Sequence, residues 1–193
     1  GQQKTPQHLA ISPFGKVPAL VDTAPAGGGA PITMFESTAM LIYLADKTGK
    51  FGGKTVAEKA DVTKWLIFSI ANTLPIFSIM REHKDLEPQG EKILDVFETQ
   101  LASNKFLAGD YSIADLASYP WVTIHERQHQ KIDDFPNVKK WLDAIAARPA
   151  VKKAYEWVAK INPNHGGIRT AEERAILFGQ TSASVDKAAA SAR

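Results

Sequence analysis

The chain has 193 residues, 44% hydrophobic and 23% charged, with a net charge of +2 and no cysteine. That balance fits a globular protein able to bury a sizeable core, as one domain or two small ones. The mixed charge argues against a nucleic-acid binder, no apolar run is expected to reach a membrane span, and the lack of cysteine removes disulfides, thiolate metal sites and a cysteine nucleophile from these 193 residues.

In chain order, Thr5-Pro6 reads as a cap followed by Pro at the first helical position, opening a short helix that stops before Pro13. Leu20-Val21 and Ile32–Met34 read as strands, with Pro18 opening the first and Pro25-Ala26-Gly27-Gly28-Gly29 as a flexible loop between them. An X-Pro bond pays only about 0.5–1 kcal/mol to be cis, and the segment alone favours trans by roughly two to one. A cis bond would turn the main chain of Val17 outward, where its N–H and C=O could pair with an extended peptide as an added strand does.

Glu36-Ser37 begins a helix with apolar Ala39, Met40, Ile42, Tyr43 and Leu44, ending at Lys47-Thr48-Gly49, where Gly49 fits the position past a helix end. Ser37 and the first N–H groups suit a ligand carboxylate, and Glu36 suits a ligand ammonium. The α-carbon end of an amino acid carries both charges. The plain alternative is N-capping alone.

Phe51-Gly52-Gly53-Lys54 is the predicted linker, and beyond it only helices are expected. Capping boxes pair Thr55 with Glu58, Ser112 with Asp115 and Thr170 with Glu173, and Tyr111 can staple onto Leu116. Pro75 and Pro120 predict kinks. The helix from Ser112 through Ile124 is apolar nearly all round and is predicted to be the buried centre. Pro136 and Pro149 open further helices. Trp65, Trp121, Trp141 and Trp157 are expected in the core, while Phe68, Met80 and Tyr119 are candidates to line an apolar pocket. Ser182–Arg193, rich in Ala and Ser, is predicted to be mobile.

His125-Glu126-Arg127-Gln128-His129 matches H-E-x-x-H, which on a helix places two zinc ligands and a general base on one face, as in a zinc hydrolase. Glu156 and His165 are the available third ligands. Ile132 and Phe135 stand where the extended motif needs Gly and His, and the stretch lies at the polar end of a helix that His and Arg suit. The plainer reading is a polar helix end, with no metal bound. His8, His83 and His165 are expected at the surface.

Together the segments resemble the glutathione S-transferase family. The matching stretches are Lys16-Val17-Pro18-Ala19-Leu20, Phe35-Glu36-Ser37, Tyr43–Gly49, Phe106–Ala117, Phe135-Pro136-Asn137-Val138 with Trp141, and Arg148-Pro149-Ala150-Val151. They run in order from about Gly1 to Lys160. Gly1-Gln2-Gln3, Pro6 and Ile11-Ser12-Pro13 look like bacterial members that are glutathione-dependent disulfide reductases. The short link near Glu82–Gln89, without the Arg- and Tyr-rich helix of that subgroup, departs from them.

The resemblance implies an α/β plus all-α fold. A partial thioredoxin-like domain over 1–51 would bind glutathione, and an all-helical domain over 55–193 would wall the co-substrate pocket. Glutathione would be the co-substrate, with a small electrophile or a disulfide as its partner. Val17 would pair with the cysteinyl part beside a cis Pro18, Glu36 and Ser37 would hold the γ-glutamyl end, and Lys16 and Gln3 would lie near the glycyl end and the peptide backbone. A homodimer in the cytoplasm is expected. Family members begin with a strand, a helix and another strand, and the thiol-activating residue follows that first strand. Here the chain opens inside the next segment, so the expectation is a fragment or a lost start, with the catalytic residue upstream of Gly1 and any signal peptide hidden. The other open classes are a non-catalytic glutathione- or protein-binding module and the zinc hydrolase. Asp115 is assigned a structural role.

Overall fold

The computed structural model describes residues 2–80, 82–161 and Thr170. The readings that involve Gly1, His165, Glu173 and Ser182–Arg193 fall outside them. Two compact units divide the chain, one of Gly1–Met40 with the stretch from Trp157 on, the other of Leu41–Glu156. Leu41 and Ala45 pack with the core of the second unit.

In the first unit, Thr5 is extended and its hydroxyl accepts the His8 N–H, so α1 (Pro6–Leu9) starts with Pro at its first turn, as its sequence dictates. The chain turns over Ser12–Gly15, where the Gly15 N–H reaches the Ser12 carbonyl at 2.8 Å. Strand β1 (Ala19–Asp22) follows, one residue after Pro18. It pairs antiparallel with β2 (Ile32–Phe35), Ala19 opposite Phe35 and Asp22 opposite Ile32. Helix α2 (Ser37–Thr48) comes directly after. It stops at Gly49, whose φ of 64° needs no Cβ relief, and the Lys50 N–H closes back onto the Ala45 carbonyl at 3.2 Å.

The helical unit holds α3 (Val56–Phe68), α4 (Leu74–Ile79), α5 (Glu87–Leu101), α6 (Ile113–Val122), α7 (Pro136–Ala146) and the start of α8 (Pro149–Ile161). Thr55 and Glu58 form the expected box at α3. Between α3 and α4 the winding passes through a π-turn over Ser69–Thr73, with the Leu74 N–H on the Ser69 carbonyl. Pro75 has no N–H to continue an α-ladder, and the wider turn accommodates that loss in place of a simple kink. The continuous run Val56–Ile79 is 24 residues long with a mean hydropathy of 1.4 in its most apolar window, so one helix is long and apolar enough to span a membrane. The expectation that no run would reach that length was therefore wrong. The run carries Val62, Trp65, Leu66 and Phe77 into the core, while Val56, Ile67 and Ile79 stay exposed and a third of its most apolar window is buried.

The core centres on Leu66, Phe77, Phe97, Leu107, Trp141 and Ile145. Trp65 and Trp141 are buried as expected, but Trp157 is 59% exposed on α8. Met80 is fully buried against Gly90, where any added Cβ would lie 2.6 Å from its sulfur. Helix α6 ends at Val122, two residues short of Ile124. Its start is a closed knot. The Asp115 carboxylate accepts the N–H groups of Leu107 (3.0 Å) and Ser112 (3.0 Å), the Ser112 hydroxyl (3.2 Å) and the Trp141 indole N–H (2.8 Å). Burial pushes the Asp115 carboxyl up, and these four bonds pull it back. Tyr111 stacks edge-on with Phe51 and Phe106 and carries the Arg148 guanidinium 3.7 Å above its ring.

Candidate functional site

The main candidate lies wholly in the first unit. Ser12, Phe14, Lys16, Val17, Pro18, Phe35, Glu36 and Ser37 line a recess of about 80 Å³. It has room for only a few waters' volume, so a peptide would lie along it more than in it. The recess unites five of the six residues singled out from sequence, namely Lys16, Val17, Pro18, Glu36 and Ser37. Gln3, in the turn Gln2–Lys4, is not among its lining residues.

The Val17–Pro18 peptide bond is cis, against the preference of the isolated segment and in line with the family resemblance. Val17 is 74% exposed, and its N–H and C=O make no hydrogen bond among the described residues. Lys16 sets its ammonium 5.5 Å over the Phe14 ring.

On the opposite wall, a single residue makes the whole turn from β2 into α2. That residue is Glu36, at a φ of 70°, in the left-handed region that costs an L-residue roughly 1–2 kcal/mol. The Met40 N–H bonds to its carbonyl, so Glu36 occupies the cap and Ser37 the first helical position. Ser37 is thus not the capping residue that N-capping alone would make it. Both side chains are exposed, and neither makes a hydrogen bond among the described residues. The start of the 12-residue α2 therefore offers a carboxylate, a hydroxyl and the unpaired N–H groups of its first turn.

Two residues escaped the sequence reading. His8 was expected at the surface, yet it is half-buried and its Nε2 lies 3.0 Å from the Lys16 carbonyl oxygen. The hydroxyl of Ser12, buried, donates to the same oxygen at 3.0 Å. Their spacing, His8, Ser12, Lys16, was the available signal.

The H-E-x-x-H stretch is not on an α-helix. His125–Gln128 forms a 3-10 turn, and His129 follows in the left-handed region at φ 57°. Three residues per turn does not stack positions four apart, so the two-ligand face of the motif is absent. No group of three metal-ligating side chains occurs among the described residues. The polar work of this segment belongs instead to buried Gln128 and Gln130. Gln128 donates to the Phe77 carbonyl at 2.9 Å and Gln130 reaches the Met80 sulfur at 3.7 Å, tying the end of α4.

Of the residues proposed for an apolar pocket, Met80 is core and Phe68 borders a groove with Ile76 and Val96. Tyr119 lines an apolar recess of about 290 Å³ with Phe51, Pro120, Arg148 and Tyr155 in the helical unit.

Residues 65–149 match the family described as glutathione S-transferase, C-terminal domain. The chain is 36% identical over 167 residues to disulfide-bond oxidoreductase YfcG of Escherichia coli (strain K12), covering 80% of this chain and 78% of that protein. It is 36% identical over 177 residues to glutathione S-transferase F10 of Arabidopsis thaliana, covering 79% of each. Among solved structures, a glutathione transferase from Burkholderia graminis, with two glutathione molecules bound per subunit, superposes with a TM-score of 0.72 at 32% identity, covering 85% of this chain and 74% of that one. The chain belongs to the glutathione S-transferase family.

Proposed function

We propose that the chain binds glutathione in the Lys16–Pro18 and Glu36–Ser37 recess and serves a glutathione-dependent transferase or disulfide reductase. One observation carries this reading. The unpaired main chain of Val17 faces the same recess as the uncommitted Glu36 carboxylate and Ser37 hydroxyl. A γ-linked tripeptide matches all three. Its cysteinyl amide pairs with Val17 as an added strand. Its γ-glutamyl ammonium meets Glu36, and its γ-glutamyl carboxylate meets Ser37 and the N-terminus of α2. The left-handed strain at Glu36 agrees, since such strain gathers at ligand clamps. Lys16 stands beside the glycyl end. Gln3, outside the recess, remains a proposed contact through the disulfide-reductase subgroup alone.

These 193 residues hold no cysteine, and the sulfur proposed to react is that of glutathione. In conjugation its thiolate forms a carbon–sulfur bond with an electrophile as the leaving group departs. In disulfide reduction it attacks one sulfur, forming a mixed disulfide and expelling the other as thiolate. A second glutathione then attacks the glutathione sulfur of the mixed disulfide, giving glutathione disulfide and the second free thiol. The relatives named for disulfide oxidoreduction and for glutathione transfer support both outcomes. The domains are proposed as 1–51 and 55–193, and the lack of cysteine suits a reducing, cytoplasmic setting. A homodimer built across both domains, as the family resemblance implies, is proposed with it, and gives a solution mass near twice 21.1 kDa.

Calorimetry with glutathione tests the reading. Saturable binding, abolished when glycine replaces the γ-glutamyl residue of the ligand, is expected. No heat with intact glutathione overturns the reading. Binding without conjugation or disulfide reduction favours the binding-module alternative.

A further inference from the structure

The carbonyl oxygen of Lys16 is gripped from two sides. The Ser12 hydroxyl and the His8 Nε2 each lie 3.0 Å from it. A carbonyl only accepts, so both groups donate, and His8 carries its proton on Nε2. This oxygen belongs to the same planar peptide unit as the Val17 N–H. The Lys16–Val17 bond is trans, so its C=O and N–H point in opposite directions and turn together. Holding the carbonyl toward α1 therefore fixes the N–H on the far side, in the segment that borders the recess.

We propose that His8 and Ser12 are positioning residues that set the Lys16–Val17 peptide plane and so aim the Val17 amide at the cysteinyl part of glutathione. The inference rests on the reading of Val17 as a glutathione contact and assigns a role to His8, which is not among the lining residues, and to Ser12, which borders the recess but commits its hydroxyl to the Lys16 carbonyl.

The local structure fits this role. Thr5 caps α1 through the His8 N–H, and the N–H groups of Ile11 and Ser12 both bond to the His8 carbonyl at 3.0 and 2.8 Å. The backbone that carries the two donors is itself tied to His8. Ser12 is 1% exposed, so its hydroxyl has no access to bulk water as an alternative partner. The Gly15 N–H on the Ser12 carbonyl closes the turn that brings residue 16 back over them. Without the two donors, the peptide plane before Pro18 is free to rotate about the flanking φ and ψ. The amide would then have to be ordered at the expense of binding.

The test uses the whole chain and four variants. His8→Leu and Ser12→Ala each remove one donor, while His8→Gln and Ser12→Thr keep one. Calorimetry is expected to show a 3- to 10-fold loss of glutathione affinity for each donor-removing variant, the range of a single hydrogen bond. The donor-keeping variants are expected to recover at least half of that loss on a logarithmic scale. In the glutathione-saturated protein, hydrogen exchange at the Val17 amide should quicken in His8→Leu and Ser12→Ala while the amides of α6 stay protected. Wild-type affinity and unchanged Val17 protection in folded His8→Leu and Ser12→Ala protein would overturn the proposal. Should Ser12→Ala fail to fold, the His8 pair decides alone, because His8 is half-buried and its replacement leaves less of a void. Absence of glutathione binding by the unaltered chain counts against the functional reading itself and is seen before any variant is made.

Discussion

Two helix starts in this protein use the same side-chain chemistry to opposite ends. At α6, Ser112 and Asp115 are buried, and the carboxylate accepts four hydrogen bonds from Leu107, Ser112 and Trp141. At α2, Glu36 and Ser37 are exposed and make no side-chain hydrogen bond among the described residues. The difference lies in the backbone. Ser112 is extended (φ −142°, ψ 178°), so its own N–H and the acid three residues on close the box. Glu36 is left-handed, at a cost in conformational energy, and its acid and the Ser37 hydroxyl are neighbours in sequence instead of three apart. A closed box is cement between elements. An open one is, on the proposed function, a socket.

The largest expected effect comes from breaking the closed box. Asp115→Ala strands buried donors on Leu107, Ser112 and Trp141, and each such group costs about 1–3 kcal/mol. A loss of at least about 3 kcal/mol, or a melting temperature lower by roughly 6–12 °C, is expected. Residual protein that still folds should bind glutathione as before, because Asp115 is remote from the recess in sequence and belongs to the other unit. A small stability change with lost binding would reverse the roles drawn for the two helix starts.

Opening the socket further gives the converse. Glu36→Gly removes the carboxylate at a backbone conformation glycine adopts freely. Glutathione affinity should fall 10- to 100-fold, the range of a charge-assisted bond, while the melting temperature stays level or rises slightly. Calorimetry and thermal melting on one preparation separate the two. A variant that melts early and binds normally would make Glu36 a structural cap.

How much of this was legible beforehand follows the range of the forces involved. Thr5-Pro6, Thr55 with Glu58, Ser112 with Asp115 and Gly49 act within a few residues, and each stands where its sequence put it. The strands came within a residue or two for the same reason. The recess was reached through ordered motifs more than through any one residue, and Gln3 shows that limit. The left-handed Glu36 had no signal, because nothing in Phe-Glu-Ser names a residue suited to positive φ. The H-E-x-x-H stretch misled because its α-helical reading was local, whereas Gln128 is held by Phe77, 51 residues away. Trp157 misled in another way. Its helical pattern was apolar, but an apolar face implies burial only where an element lies over it, and α8 leaves this one exposed.

The smallest effect is in alkali, and it is a mark of the helical unit alone. Tyr155 on α8 meets Tyr119 of α6 edge-on at 5.9 Å beside the apolar recess. Burial, and secondarily the neighbouring Tyr119, push its phenol up to about 12. An unfolded tyrosine titrates near about 10. Between those values the folded chain keeps a proton that the unfolded chain gives up, so stability from this group is complete below about pH 10 and is lost as pH rises toward about 12. Tyr155 as a whole residue is 40% exposed, so the loss is gentle and is read as a slope. Tyr155→Phe should remove the last phenolate transition from an absorbance titration and flatten the alkaline decline of the denaturant midpoint. Glutathione affinity at neutral pH should stay unchanged, since the recess of the first unit holds no tyrosine. If the highest phenolate transition instead persisted in the variant, the shielded phenol would be another tyrosine, and the α6–α8 contact would be looser than its edge-on ring pair implies.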